Sequence, residues 1–151
     1  MKKVLFTLIA VLAFGFAASA QNNAIGLRFG GGDGYGAEIS YQQGLGANRV
    51  ELDLGFGQDN FFWLSGIYQW TFDIAGDFGW YVGVGGRAGY CKNHDFGLAV
   101  LGQVGVEFHP QAIPLQFTID VRPGYEFLLP DECYYNGAHW GGAALGVRYR
   151  F

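Results

Sequence analysis

The chain is 151 residues long, with 9 Lys and Arg against 13 Asp and Glu, for a formal net charge of −4. It has no basic patch, which excludes a nucleic-acid-binding module, and beyond residue 20 no apolar run reaches the ~18 residues of a membrane helix. Half of it is hydrophobic, 18% is aromatic and 26 residues are Gly, against a usual Gly share of ~7%; this mixture suits a β protein with two unlike faces.

The first predicted element is a leader. Lys2 and Lys3 precede an apolar stretch from Val4 to Ala18 that only Thr7 interrupts, and Ala18-Ser19-Ala20 closes it. A short apolar run ending in small residues reads as an export signal rather than an anchor, with cleavage between Ala20 and Gln21. The organisation is then a signal peptide over 1–20 and one domain over 21–151, about 130 residues. Export into an oxidising compartment permits a disulfide between Cys91 and Cys133.

Helical periodicity is absent from the remainder. Period-two alternation, the strand signal, recurs in eight segments: 24–30, 35–43, 48–57, 61–73, 79–90, 96–108, 115–126 and 138–151. In the third, Val50, Leu52, Leu54 and Phe56 share one face, and Arg49, Glu51, Asp53 and Gly55 the other. The seventh and eighth repeat the pattern, with Leu115, Phe117, Ile119 and Val121 against Gln116, Thr118, Asp120 and Arg122, and Leu145, Val147, Tyr149 and Phe151 against Gly146, Arg148 and Arg150. Connections rich in turn residues alternate between two ends: 31–34, 57–60, 91–95 and 127–137 at the first, 43–47, 74–78 and 109–114 at the second. The expected fold is all-β, an eight-stranded antiparallel up-and-down barrel that closes to hide its strand edges.

Alternation does not say which face is outside. A soluble lipocalin-like barrel turns the apolar face in, and a membrane barrel turns it out. Three features point outward. The apolar face carries no formal charge, and His139 is its one clearly polar side chain. The other face carries Arg28, Arg49, Arg87, Arg122, Arg148 and Arg150 with Glu38, Glu51, Asp53, Glu107, Asp120 and Glu126, and no Lys; Arg suits enclosed pairing with carboxylates. Gly26, Gly36, Gly83, Gly85, Gly89, Gly105 and Gly146 share that face and leave room in a narrow interior. Finally, aromatics gather at both ends of the apolar face: Phe29, Tyr35, Phe56, Phe62, Tyr90, Phe96 and Tyr125 at one, Tyr41, Trp70, Phe72, Trp80, Phe108, Tyr149 and Phe151 at the other. Such rows match two membrane interfaces. Trp63, Ile67, Tyr81, Leu101 and Trp140 are the exceptions, apolar residues on the polar face.

The last strand carries a family resemblance. Gly146-x-x-Tyr149-x-Phe151 resembles the C-terminal assembly signal of bacterial outer-membrane proteins, with Ala144 where a polar residue often stands. The mature chain as a whole is similar in layout to the OmpX-like and OmpA-transmembrane-like eight-stranded barrels. The resemblance implies a bacterial outer-membrane location, a surrounding lipid phase, recognition by the barrel-assembly machinery, a monomer, and a role as structural or adhesin-like surface protein. It also implies that the first-end loops face outward, where an extracellular partner would be met.

Other chemistries are weaker. The polar-face charges read as a salt-bridged plug before an ion path, because balanced charges in a narrow interior pair; a narrow channel is the alternative. A lipid-modifying enzyme would need a Ser–His pair, and the register brings none together from Ser40 and Ser65 with His94, His109 and His139; no enzyme activity is expected. Asp33, Asp59, Asp95, Asp131 and Glu132 read as turn residues before metal ligands, so no metal or cofactor is expected. The loop 127–137 is apolar, with Phe127, Leu128, Leu129, Tyr134 and Tyr135, and reads equally as a partner-binding loop or an extension of the wall.

Overall fold

Ten strands make up the described part of the computed structural model, which covers residues 23–30, 36–57, 62–90, 96–127 and 137–151. They are β1 (Ala24–Gly30), β2 (Ala37–Leu45), β3 (Asn48–Phe56), β4 (Phe62–Ala75), β5 (Phe78–Tyr90), β6 (Phe96–Phe108), β7 (Leu115–Val121), β8 (Gly124–Phe127), β9 (Gly137–His139) and β10 (Ala143–Arg150). Each pairs antiparallel with its neighbours, and β10 returns to β1. β7 and β8 are two halves of one wall strand. Both pair with β6 in one register, Val104 facing Val121 and Leu101 facing Gly124. β9 and β10 share the last wall position in the same way. The result is a closed, eight-stranded antiparallel β-barrel.

A row of partners runs from Ala143 through Val121, Val104, Val82, Trp70 and Asn48 to Leu45. Carried around the wall, these registers accumulate a stagger of about ten residues, which tilts eight strands by roughly 40° from the axis. Two connections at the end that carries Asn23 and Phe151 are tighter than the alternation suggests. The chain reverses over Gly46-Ala47 and over Gly76-Asp77, with Gly46 at φ 70° and Gly76 at φ 58°. The left-handed backbone these turns require is open to Gly, so β2 and β4 continue to Leu45 and Ala75.

The core is polar and the surface is apolar. Arg148, Glu51, Asp53 and Asp120 are among the most completely buried side chains, whereas Leu64, Val100, Ile119 and Leu145 lie exposed around the outside. The inward apolar residues explain much of the glycine content. Trp63 faces Gly55, Ile67 faces Gly85 and Tyr81 faces Gly105 across their strand pairs. Arg148 and Arg28 on the polar side face Gly26 and Gly146. An eight-stranded barrel has little interior width, and a Cβ at Gly55 would run into the Trp63 indole, while one at Gly105 would sit 2.6 Å from the Tyr81 hydroxyl. Each large inward side chain therefore occupies the space its glycine partner leaves.

One irregularity corrects the reading of the last segment. Between the pairs Val121–Ala143 and Gly124–His139, two residues of the seventh wall strand oppose three of the eighth. Pro123 lacks the N–H a ladder needs, and Gly141 and Gly142 take φ of 68° and 58° to carry the extra residue. The bulge reverses the faces of β9. His139, expected on the apolar face, turns into the barrel and lies 3.5 Å from Glu126. Trp140, expected on the polar face, points outward and is 87% exposed. Without this shift the alternation assigns both residues to the wrong side.

Outside, aromatic rings form rows at both ends of an aliphatic band. Phe56 faces Phe62, Phe62 faces Tyr90 and Tyr90 faces Phe96 at one end. At the other, Phe72 stacks on Trp80 at 4.6 Å, and Phe78 stacks on Phe108 at the same distance. Cross-strand ring pairs of this kind stabilise a sheet locally.

Candidate functional site

Among the described residues, most of the charged side chains converge inside the barrel, and Glu51 on β3 is their centre. Its carboxylate is completely buried and both oxygens are used. Oε2 accepts from Gln42, from Gln69 at 3.1 Å and from Arg148 Nη2 at 3.0 Å. Oε1 accepts from Arg122 and from Gln103 at 3.3 Å. These donors come from β2, β4, β6, β10 and the Arg122 position after β7, so one carboxylate ties together strands from all around the wall. A buried carboxylate is tolerable only when so surrounded.

The cluster spreads from there. Arg122 also lies 2.6 Å from Asp53 and 3.3 Å from Glu38. Arg28 bonds Glu38 at 2.6 Å and Asp120 at 2.5 and 3.2 Å. Arg148 donates to Ser40 and Thr118, each at 2.9 Å. Two inward aromatic residues close the network: Trp63 Nε1 donates to Glu38 at 2.7 Å and the Tyr81 hydroxyl to Asp120 at 3.1 Å. Their burial thus satisfies their polar tips, the usual condition for an enclosed Trp or Tyr.

Two smaller groups flank the centre. Towards the Asn23 end, Arg49 Nη1 lies 2.5 Å from Glu107 Oε2, and His109 Nε2 lies 3.0 Å from Glu107 Oε1. Towards the opposite end, Arg87 pairs with Glu126, beside His139. Of the twelve charged positions read from the sequence, Arg150 alone stands apart from these ion pairs; it lines the mouth beside Asn23.

These pairs fill the section they occupy. On one side of Glu51 a cavity of about 20 Å³ is lined by Arg28, Glu38, Trp63, Ser65, Arg122 and His139, among others, room for about one water molecule. On the other side a polar cup of about 310 Å³ opens at the Asn23 end. Glu51 joins Arg122, which lines the first, to Gln42, which lines the second.

Ser40 is used by Arg148, and Ser65 shares the small cavity with His139. Among the described residues, no group of three or more His, Cys, Asp or Glu is placed to hold a metal ion. Ala20 and Gln21, Cys91 and Cys133, His94, Asp33, Asp59, Asp95, Asp131 and Glu132, and most of the loop 127–137 lie outside the described residues. Gly146 faces Thr118, and Tyr149 and Phe151 are exposed on the outer surface. Sequence reading missed the amides: Gln42, Gln69, Gln103 and Gln116 all bond buried carboxylates. Their signal was their position, since each occupies a polar-face register beside or near a charged one.

No protein-family model, curated protein or solved structure matches the chain.

Proposed function

We propose that the chain is an integral bacterial outer-membrane barrel, with its apolar surface against lipid and its interior closed by ion pairs. Its role is structural or surface-interacting rather than conducting or catalytic. One observation carries this reading: the barrel is inverted in polarity. Leu64 and Leu145 are 55% and 58% exposed while Glu51 and Arg148 are completely buried. In water such a surface would present an apolar belt around the whole circumference, far beyond the few hundred Å² a soluble monomer carries. In a bilayer the belt meets acyl chains, and closure leaves no strand edge unpaired.

Further features support it. Two rows of rings bound the aliphatic band, as aromatic residues do at the two interfaces of a bilayer. Strands tilted by roughly 40° need ~9–11 residues to cross the hydrocarbon core, and β2 and β3 each have 9. A lipocalin-like barrel would need the reverse distribution of polar and apolar side chains. The apolar pattern closing at Ala20 and the Gly146-x-x-Tyr149-x-Phe151 pattern are in keeping with this reading.

The filled section around Glu51 argues against a pore, and a partner would be met at the end opposite Asn23. The test is cell fractionation followed by gel migration of boiled and unboiled detergent extracts, with planar-bilayer recording of the purified barrel. A heat-sensitive mobility shift in the outer-membrane fraction, without stable unit conductance, is expected. A soluble periplasmic protein would overturn the membrane reading, and steady conductance would overturn the closed interior.

A further inference from the structure

The cluster around Glu51 does not balance its charges. Of the six arginines in the chain, Arg150 stands at the mouth. Arg49 with Glu107, and Arg87 with Glu126, make one-to-one pairs on either side of the centre, each beside a histidine, His109 and His139. Among the described residues the centre then holds three guanidiniums, Arg28, Arg122 and Arg148, against four carboxyl groups, Glu38, Glu51, Asp53 and Asp120. All seven are buried. A buried carboxylate without a compensating charge is costly, and carboxyl groups crowded into one enclosed site share a proton instead.

The hydrogen bonds select the group that takes the proton. Glu51 accepts from two guanidiniums and three amides. Glu38 accepts from Arg28, Arg122 and Trp63. Asp120 accepts from Arg28 through both oxygens and from Tyr81. Donors of this kind are worth most to a charged acceptor. Asp53 has none: both its oxygens are buried without a hydrogen-bond partner, although Arg122 Nη2 lies 2.6 Å from Oδ2. That nitrogen donates to Glu51. The charged groups sharing Arg122 with Asp53 are all acids: Glu51 on its own strand, Glu38 on β2 and Asp120 on β7. Arg28 and Arg148, from β1 and β10, are engaged by those other acids. The register partners of Asp53 are uncharged, Ser40 on β2 and Ser65 on β4, and the Ser65 hydroxyl is also buried without a partner. We propose that Asp53 is held as a neutral carboxylic acid at neutral pH, one proton completing the charge balance of the plug. A protonated carboxyl is also a donor, in a neighbourhood with an acceptor to spare. Loss of the proton leaves an uncompensated carboxylate among three others and loosens the centre.

The test uses the full mature barrel in detergent micelles, with either sodium or choline as the buffer cation. Carboxyl carbon NMR of aspartate-labelled protein, compared with Asp53→Asn, picks out the Asp53 resonance. A position in the range of a protonated acid at neutral pH, the same in sodium and in choline, is expected. Asp53→Asn places a neutral group of the same shape at the site, so the urea midpoint and the heat-sensitive gel shift should be unchanged, whereas Glu51→Gln should lower the midpoint or abolish folding. A proton bound by the folded chain and not by the unfolded one stabilises less as pH rises. In alkaline buffer the wild-type midpoint should therefore fall further than that of Asp53→Asn. A carboxylate resonance for Asp53 at neutral pH, a resonance that moves when sodium replaces choline and so puts a metal cation where the proton was, or an Asp53→Asn barrel that does not fold would overturn the proposal.

Discussion

Arg148 on β10 reaches across the barrel interior to Glu51 on β3, Nη2 to Oε2 3.0 Å apart, and neither side chain is accessible to solvent. The two residues are not used equally. Arg148 also has Ser40 and Thr118, whereas Glu51 gathers two guanidiniums and three amides. Removing the carboxylate therefore strands more charge than removing the guanidinium.

Glu51→Ala should lower the unfolding free energy in detergent by about 3–5 kcal/mol, the usual cost of breaking a buried pair. Arg148→Met should cost less, since Glu51 keeps Arg122 and its amides. The double variant should be more stable than the sum of the two effects, with a coupling of about 1–3 kcal/mol. Urea unfolding of the four proteins measures it, and strict additivity would show that the pair does not interact.

Glycine spacing makes a second prediction. A Cβ at Gly105 would sit 2.6 Å from the Tyr81 hydroxyl and 2.7 Å from Asp120 Cβ, so Gly105→Ala should cost about 1–3 kcal/mol through overpacking. Gly66→Ala makes the same chemical change where the nearest atom is Leu52 Cδ2 at 3.5 Å, and should change stability by no more than about 0.5 kcal/mol. Equal costs at both sites would mean that the Tyr81–Gly105 fit is not what excludes a side chain.

Val84 lies mid-strand on β5 on the exposed apolar face. Against lipid, Val84→Arg should cost about 2–4 kcal/mol near the bilayer midplane, read as a lower urea midpoint in liposomes, while Val84→Leu should be near neutral. On a water-facing surface the arginine would change stability by no more than about 0.5 kcal/mol.

Much of this was legible in the sequence because a strand writes its two faces in alternate letters. Residues 24–30 and 96–108 coincide with β1 and β6, and ten of the twelve charged positions, from Arg28 to Arg148, are buried inside. What alternation cannot encode is one extra residue. Pro123 and the Gly141-Gly142 pair were visible as letters, yet nothing local says that Gly124 pairs with His139 while Val121 pairs with Ala143. That offset reverses His139 and Trp140. Trp63 and Tyr81 stand out as exceptions on the polar face, with packing inside or placement above the membrane both open from sequence; the register sets each inside, opposite a glycine. The convergence on Glu51 depends on closure of the wall, a property of all eight positions together.

The four tryptophans offer the most direct measurement of which face meets lipid. Trp70, Trp80 and Trp140 are exposed on the outside, whereas Trp63 is buried against Glu38. Variants retaining one tryptophan each, the others replaced by Phe, can be reconstituted into vesicles containing brominated phosphatidylcholine, and their fluorescence compared with that in unbrominated vesicles. Strong quenching of Trp70, Trp80 and Trp140, with Trp63 nearly unaffected, is the predicted result. Quenching of Trp63 alone, or of none of the four with the protein left in the aqueous phase, would contradict a barrel whose apolar outer surface lies in a membrane.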